Sequence, residues 1–186
     1  MKIIIIEGTD NTGKDSLISR ILEEYPTATL IHCSKPYSKN NNLAAIEQDT
    51  LFQTYINAIN SGVYSGTHVL ILNRSWIGEY VYGVIYRGRN SDEVKRNILN
   101  YEKQLINQEV YYIQLLSTSS ELLNKNEDNK SLSNGNITLI AEEVQRFEDI
   151  FEASSIKNKK LIYVNDGDKF RSKESIQSEV LKFINR

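Results

Sequence analysis

The segment IEGTDNTGKDSL, Ile6–Leu17, matches the pattern of a phosphate-binding loop at all but one position. The loop pattern is a glycine, four residues of any kind, then Gly-Lys followed by Ser or Thr. Gly8, Gly13 and Lys14 match this pattern, whereas Asp15 stands where a magnesium-holding hydroxyl is expected. The stretch therefore predicts a nucleotide site that departs from the common one at the metal.

The context of the loop supports this prediction. The run KIIIIE before it is typical of a strand buried on both faces, and a helical pattern runs from Lys14 to about Pro26. Between such elements, glycines let successive backbone N–H groups converge on phosphate oxygens, and the helix start adds positive charge. We therefore assign the phosphates to the loop and Lys14, and the magnesium ion to Asp15 or Ser16. The assigned loop residues are Gly8, Asn11, Thr12, Gly13, Lys14, Asp15 and Ser16.

Strands alternate with helices along the rest of the chain. The predicted strands are 27–33, 67–72, 110–116 and 160–164, and the predicted helices cover 43–60, 76–86, 91–107, 137–154 and 172–184. A short helical piece is predicted around 121–124, and a turn at NDGDKF, 165–170. This alternation is typical of an α/β fold with a mainly parallel sheet. No repeat and no linker divides the sequence, so one domain covering residues 1–186 is expected.

Composition argues against several classes of function. A net charge of −2 and a pI near 5.8 give no basic field of the kind that follows a DNA backbone, so DNA is not the expected partner. No apolar run is long enough to span a membrane. Cys33 is the only cysteine, and only two histidines are present, so neither an internal disulfide nor a zinc site is expected. These features predict a cytoplasmic protein.

Two segments resemble thymidylate kinases of the P-loop kinase superfamily. The first is IEGTDNTGKDSL, whose Gly-Lys-Asp spelling is also similar to that of some phage deoxynucleoside monophosphate kinases. The second is NRSWIGEYVYGVIYRGR, 73–89, which resembles phage-encoded thymidylate kinase-like proteins and also the Glu-Arg-Ser segment of deoxynucleoside kinases. The resemblance implies a three-layer fold with five parallel strands in the order 2-3-1-4-5, with ATP and Mg²⁺ as cofactors.

The resemblance also implies roles for residues that would hold the acceptor. Arg74 would bind its phosphate and Tyr82 would pack near its sugar or base, whereas Asn73 replaces the family's acid. Phe52 corresponds to the phenylalanine that stacks on the base. Ile56 stands where the family has a base-reading arginine, so the resemblance leaves thymine selectivity open.

Other polar residues fall at positions where this family binds ligands. Lys35 lies where the family has an Arg-x-Pro loop, and Arg87 and Arg89 are further candidates for phosphate binding. Glu79 is expected to pair with one of these arginines. Asp166 lies in NDGDKF, where related kinases hold adenine.

A polar segment, approximately 117–136, lies where the family has its lid. Lids of this family bring arginines to the transferring phosphate, but this segment offers only Lys125 and Lys130, and Arg146 lies in the helix beyond it. The lid is therefore expected to be poor in charge.

The expected reaction is transfer of the γ-phosphoryl of ATP to a deoxynucleotide, foremost a thymidylate-like monophosphate such as dTMP or a modified dUMP. Lys14, Asp15 and Arg74 are the expected catalytic residues. One open alternative is a hydroxyl acceptor, either a deoxynucleoside or a modified base in phage DNA, although Asn73 cannot act as the general base. Another is a protein that binds nucleotide without turnover. By analogy, a homodimer is expected.

Overall fold

A five-stranded parallel sheet forms the centre of the protein. The computed structural model describes residues 1–125 and 131–186. The strands are β1 (Lys2–Gly8), β2 (Thr29–His32), β3 (Val69–Asn73), β4 (Glu109–Leu116) and β5 (Asn158–Tyr163). Their order is β2-β3-β1-β4-β5, and all neighbours are parallel, which confirms the predicted α/β fold and strand order.

The central position of β1 follows from its composition. Its four isoleucines, residues 3–6, are completely buried, as expected for a strand with helices on both faces. In the sheet register, Ile6 lies opposite Asn73 of β3 and Ile113 of β4. The loop that follows β1 therefore leaves the sheet beside the carboxyl end of β3, the edge where α/β proteins bind ligands.

Helices cover both faces of the sheet. They are α1 (Lys14–Glu24), α2 (Asn41–Asn60), α3 (Val84–Arg87), α4 (Ser91–Gln104), α5 (Ser120–Asn124), α6 (Ile137–Ala153) and α7 (Lys173–Ile184). One apolar core joins β1 to α2, α4 and α6, and a second core on the opposite face joins it to α1 and α7. No helix in the described ranges is both long and apolar enough to cross a bilayer.

The segment predicted as one helix over 76–86 is irregular. It forms a 3₁₀ turn, Trp76–Gly78, a π-helical turn, Glu79–Gly83, and then α3. A Cβ at Gly83 would lie 2.7 Å from Oε2 of Glu79, so the glycine leaves room for that carboxylate to fold over the turn. Isolated π turns are frequent at functional sites.

Other element boundaries differ from the prediction by one to three residues, and one predicted turn has a different structure. NDGDKF is a small antiparallel hairpin of β6 (Asn165–Asp166) and β7 (Lys169–Phe170), not a simple turn, and Gly167 takes the left-handed conformation between its strands. β2 begins at Thr29, two residues after the predicted start.

Candidate functional site

The loop between β1 and α1 requires particular residues. Gly8, Asn11 and Gly13 have φ angles of 140°, 63° and 84°. At Gly8 an added Cβ would lie 1.9 Å from the carbonyl oxygen of Leu115, so both the dihedral angle and the close backbone approach demand glycine. The spacing that identified the motif in the sequence is therefore also a steric requirement of the fold.

Lys14 is folded back against this loop. Its Nζ donates hydrogen bonds to the carbonyl oxygens of Gly8, at 3.0 Å, and Thr9, at 2.6 Å, and the Thr12 hydroxyl donates to the same Thr9 oxygen. Burial, with a smaller contribution from Arg74, lowers the pKa of Lys14 to about 8. A phosphate at the loop would favour the charged form and give Nζ better acceptors than backbone carbonyls.

Arg74 lies beside the loop, at the end of β3. Its φ of 66° is unusual for a residue other than glycine and turns the chain sharply. The guanidinium forms an ion pair with Asp10 of the loop, and its Cζ lies 5.0 Å from the centre of the Tyr82 ring. Nζ of Lys14 lies 4.0 Å from the same Asp10 oxygen, Oδ1. A single carboxylate oxygen therefore bridges the two cations.

Glu7 is a buried part of this edge to which the sequence analysis assigned no role. Its Oε1 accepts hydrogen bonds from the Ser75 hydroxyl, at 2.8 Å, and from the Gly78 N–H, at 3.3 Å, and Oε2 has no partner among the described residues. Burial raises the pKa of Glu7, although Arg74 and Lys14 oppose the shift. The signal in the sequence was a carboxylate between an apolar strand and the loop.

The candidate magnesium ligands lie close to one another. Nδ2 of Asn73 donates to Oδ1 of Asp15 at 3.3 Å and lies 3.0 Å from Nδ1 of His32. The Ser16 hydroxyl instead accepts from Gln177 of α7 at 3.2 Å. Because Mg²⁺ prefers carboxylate and carbonyl oxygens, Asp15 and Oδ1 of Asn73, which accepts no hydrogen bond from the residues that the structure describes, are a suitable donor set.

A cleft of about 270 Å³ opens beside Arg74, and we call it the Arg74 cleft. The predicted site residues that line it are Lys35, Phe52, Arg74, Tyr82 and Arg87. Phe52 is only 2% exposed and meets Tyr101 edge-on at 6.4 Å, so it belongs to the core as well as to the wall of the cleft. The structure thus brings five of the predicted substrate-binding residues together at one surface.

Arg89, the sixth predicted substrate-binding residue, does not line this cleft. Its guanidinium donates hydrogen bonds to both carboxylate oxygens of Asp49, at 3.0 and 2.7 Å, and to Oε2 of Glu79 at 3.2 Å. The other oxygen of Glu79 pairs with Arg87, so Glu79 is the structural partner that the sequence analysis expected. Since the side chain of Arg89 is 6% exposed, its N–H groups are used in ion pairs within the fold and not in the cleft.

Three groups near the Arg74 cleft had no assigned role. Cys33 and Gln48 line it, and burial, reinforced by Glu7, raises the pKa of the Cys33 thiol to about 12. Glu143 of α6 accepts a hydrogen bond from the Tyr86 hydroxyl, and burial raises its pKa to about 7.

A second cleft, of about 240 Å³, lies on the other side of the loop, and we call it the Phe170 cleft. Its wall combines the loop residues Asn11, Thr12, Gly13 and Ser16 with residues of β7 and α7. Phe170, which sequence reasoning missed, is 37% exposed there and can stack on a planar ring. Asp166 is exposed on the neighbouring strand of the hairpin and does not line the cleft.

The described part of the predicted lid carries little positive charge to the site. Lys125 is exposed at the end of α5, and Lys130 lies outside the described residues. Leu132, an apolar residue, is the lid residue that lines the Arg74 cleft. Arg146 pairs with Glu142 on the surface of α6 at 3.0 Å and is not part of the cleft wall.

Solved structures share this fold, whereas no family model and no curated protein matches the chain. YorR from Bacillus subtilis, solved with phosphorylated GDP, is 14% identical with a TM-score of 0.67, over 98% of this chain and 95% of YorR. Thymidylate kinase from Candida albicans is 15% identical with a TM-score of 0.66, over 98% and 90% of the two chains.

Polyphosphate kinase 2 from Arthrobacter aurescens is also similar. It is 14% identical with a TM-score of 0.64, over 99% of this chain and 68% of that one. At such identities the likeness concerns the fold, which is the α/β fold of P-loop kinases.

Proposed function

We propose that this protein transfers the γ-phosphoryl group of ATP to a nucleoside monophosphate. The observation that carries the proposal is the placement of Lys14 and Arg74 on either side of one oxygen of Asp10. Phosphoryl transfer needs cations that neutralise the donor and the acceptor phosphates while the reacting groups are held in line. Two cations at one sheet edge, Arg74 in the wall of the Arg74 cleft and Lys14 next to Gly13 of the Phe170 cleft, meet that need.

On the donor side, the loop and Lys14 would bind the ATP phosphates. Adenine would occupy the Phe170 cleft, because that cleft adjoins the loop at Gly13 and offers an exposed aromatic ring. Asp166, on the same hairpin, lies outside the wall of that cleft, so its contact with the nucleoside stays a prediction from the sequence. Similarity to YorR, which was solved with a phosphorylated guanine nucleotide, supports nucleotide binding by this fold.

The proposed magnesium seat combines Asp15 and Asn73. P-loop nucleotide hydrolases commonly pair a loop hydroxyl with a strand-end carboxylate at this metal. Here the carboxylate is on the loop side and the neutral amide is on the strand, and the two side chains touch at 3.3 Å. The site therefore keeps one carboxylate for the ion, on the loop and not on the strand, and an amide stands at the strand position. Bound Mg²⁺ would neutralise the phosphates and shield them from the Asp15 carboxylate.

The proposed acceptor occupies the Arg74 cleft. Arg74 would hold its phosphate with Lys35 as a second cation, because the described residues give Lys35 no ion-pair partner. Phe52 and Tyr82 would frame its sugar and base, while Arg87 would add donors. A thymidylate-like monophosphate such as dTMP is the proposed substrate, and the similarity to thymidylate kinase supports it.

A coupled ATP assay with deoxynucleosides and their monophosphates tests this function. We expect magnesium-dependent phosphorylation of at least one monophosphate. Arg74→Met should raise the KM for the acceptor about 10- to 100-fold, since it removes a charged hydrogen-bond donor. Arg146→Met is the matched control, because that arginine is paired on the surface of α6. Folded protein that phosphorylates none of the monophosphates would refute the proposal.

The same assay separates the alternatives. A deoxynucleoside acceptor, or a modified base in DNA, would need a general base, and the amide of Asn73 supplies none. Binding of ATP without turnover, abolished by Lys14→Ala, would favour a non-catalytic nucleotide-binding protein, for which the lid's lack of arginine is the supporting observation. Cytoplasmic location, a homodimer and phage-type origin stay predictions.

A further inference from the structure

We infer that Gln48 and Arg87 read the base of the acceptor and select bases with a ring N–H next to a carbonyl group. Thymine, uracil and guanine present this lactam edge, whereas cytosine and adenine do not. The inference rests on the proposed function, since it assigns a substrate class to the same cleft. It does not rest on Ile56, which is fully buried in the core and cannot replace the missing arginine.

The first step concerns Gln48, which presents one end of its amide to the Arg74 cleft. It lies on α2 one turn before Phe52, on the same face of the helix, and is 4% exposed. Its Nε2 donates to the carbonyl oxygen of Ser34 at 3.1 Å. A carbonyl only accepts, so this contact fixes the orientation of the amide. Oε1 receives no hydrogen bond from the described residues and is not sealed from solvent, so it is a free acceptor.

The second step concerns Arg87, which presents spare donors to the same cleft. Its guanidinium forms an ion pair with one oxygen of Glu79 through Nη2. Its Nε is buried and has no hydrogen-bond partner among the described residues, so it does not reach a ligand, whereas Nη1 has no partner among those residues and is not sealed from solvent. Of the five N–H donors of a guanidinium, the two on Nη1 of Arg87 therefore remain available. Such donors bind the carbonyl oxygen of a base.

A network of ion pairs, buried except at Asp49, connects the elements that carry these two residues. Glu79 connects Arg87 to Arg89, and Arg89 grips Asp49, the residue that follows Gln48 on α2. Buried ion pairs add little net stability, but they fix geometry. The network also depends on Gly83, where an added Cβ would lie 2.7 Å from Glu79 Oε2 and 3.0 Å from Arg89 Cδ.

The acceptor on Gln48 and the donors on Arg87 define the preferred edge. A ring N–H can donate to Oε1 of Gln48 while the adjacent carbonyl accepts from Arg87. Cytosine N3 and adenine N1 carry no hydrogen, so they would place a lone pair against Oε1 and leave the amide unpaired. Sites built to hydrogen-bond a substrate reject analogues that leave a buried polar group unpaired.

Equilibrium binding of dTMP, dUMP, dGMP, dCMP and dAMP, measured by calorimetry without a phosphoryl donor, tests the inference. We expect the unsubstituted protein to bind the first three about 10- to 100-fold more tightly than the last two. Gln48→Leu and, independently, Arg87→Met should reduce that ratio towards one. Gln53→Leu is the matched control, because Gln53 lies on the same helix but bonds to Asn57 and Gln104 outside the cleft.

These experiments distinguish a failure of the proposed base selectivity from a failure of the proposed kinase activity. Tight binding without a lactam preference, or a preference that survives in both Gln48→Leu and Arg87→Met, overturns the inference and leaves the proposed kinase intact. An equal loss of preference in Gln53→Leu also overturns it. A lactam preference without turnover refutes the kinase but supports the base-reading pair, and no binding of any nucleotide refutes both. A melting curve for each variant shows that it is folded.

Discussion

Moving the carboxylate from position 15 to position 73 tests the magnesium seat directly. Asp15→Ser restores the common loop hydroxyl but removes the carboxylate, whereas Asn73→Asp adds a second carboxylate in contact with the first. The double variant, Asp15→Ser with Asn73→Asp, returns the carboxylate to the strand. If the carboxylate can hold the ion from either position, the double variant should bind the metal and work nearly as well as the unsubstituted chain.

The structure sets the magnitude for Asn73→Asp. Carboxylate oxygens separated by the present 3.3 Å contact would repel each other by about 1 kcal/mol in water and about 5 kcal/mol at an effective dielectric constant of 20. Because Asp15 is exposed whereas Asn73 is only 8% exposed, the cost should lie between the two figures. A loss of about 1 kcal/mol lowers the melting temperature of a domain of this size by about 2–4 °C. Bound Mg²⁺ should reverse the sign of that shift.

Two measurements check this expectation. Electron paramagnetic resonance of Mn²⁺ measures metal affinity in the presence of ATP, and scanning fluorimetry with and without Mg²⁺ measures the melting temperature. Asp15→Ser should weaken Mn²⁺ binding about tenfold or more, since it removes a charged ligand. The double variant should recover most of that loss. If Asp15→Ser binds Mn²⁺ as well as the unsubstituted chain does, or the double variant recovers nothing, the reasoning is wrong.

Three further predictions concern the same edge of the sheet. Burial lowers the pKa of Lys14 to about 8, and phosphate binds its charged form, so the affinity for ATP should fall above about pH 8 and ATP binding should take up protons there. Calorimetry in buffers of different ionisation enthalpy measures this proton uptake, and no uptake at pH 9 would contradict the prediction. Gly8→Ala should lower the free energy of unfolding by more than about 3 kcal/mol, since its Cβ would meet the Leu115 carbonyl. Gly13→Ala, whose Cβ meets nothing within 4 Å, should cost about 1 kcal/mol in the same urea titration, so equal costs would refute the steric argument. Cys33, whose pKa burial raises to about 12, should react slowly with iodoacetamide at pH 7.5 in the folded protein and quickly in urea.

The elements that carry a local signal were predictable from the sequence. β1, the loop and α1 follow from an apolar run, a glycine spacing and a helical period, all within 24 residues of the amino end. The strand order came from the resemblance, and the sheet confirms it. The segment 76–86 was harder, because its periodicity fits a helix while the π turn depends on where the Glu79 carboxylate lies. That position is set by arginines from α3 and the loop after it.

The contacts that define the candidate site join residues far apart in the chain. Asp15 and Asn73 are 58 residues apart, Arg89 and Asp49 are 40 apart, and Glu7 and Ser75 are 68 apart. Sequence spacing cannot reveal such pairs, although it placed Arg74 at the correct strand end. It also predicted phosphate binding for both Arg87 and Arg89. Only the folded chain shows that the guanidinium of Arg89 is already paired with two carboxylates.

At the carboxyl edge of the sheet, each pair of cations shares one carboxylate. Lys14 and Arg74 share Asp10, and Arg87 and Arg89 share Glu79, so these cations, of which Arg74 is only half-buried, already have a counter-charge in the free protein. Unpaired, they would cost several kcal/mol of desolvation and would destabilise the sheet edge that they occupy. A phosphate must therefore compete with Asp10 for two cations at once. Simple anions that reach only one of them should bind weakly, whereas a donor and an acceptor bound together replace the shared carboxylate at both cations and gain the full electrostatic benefit.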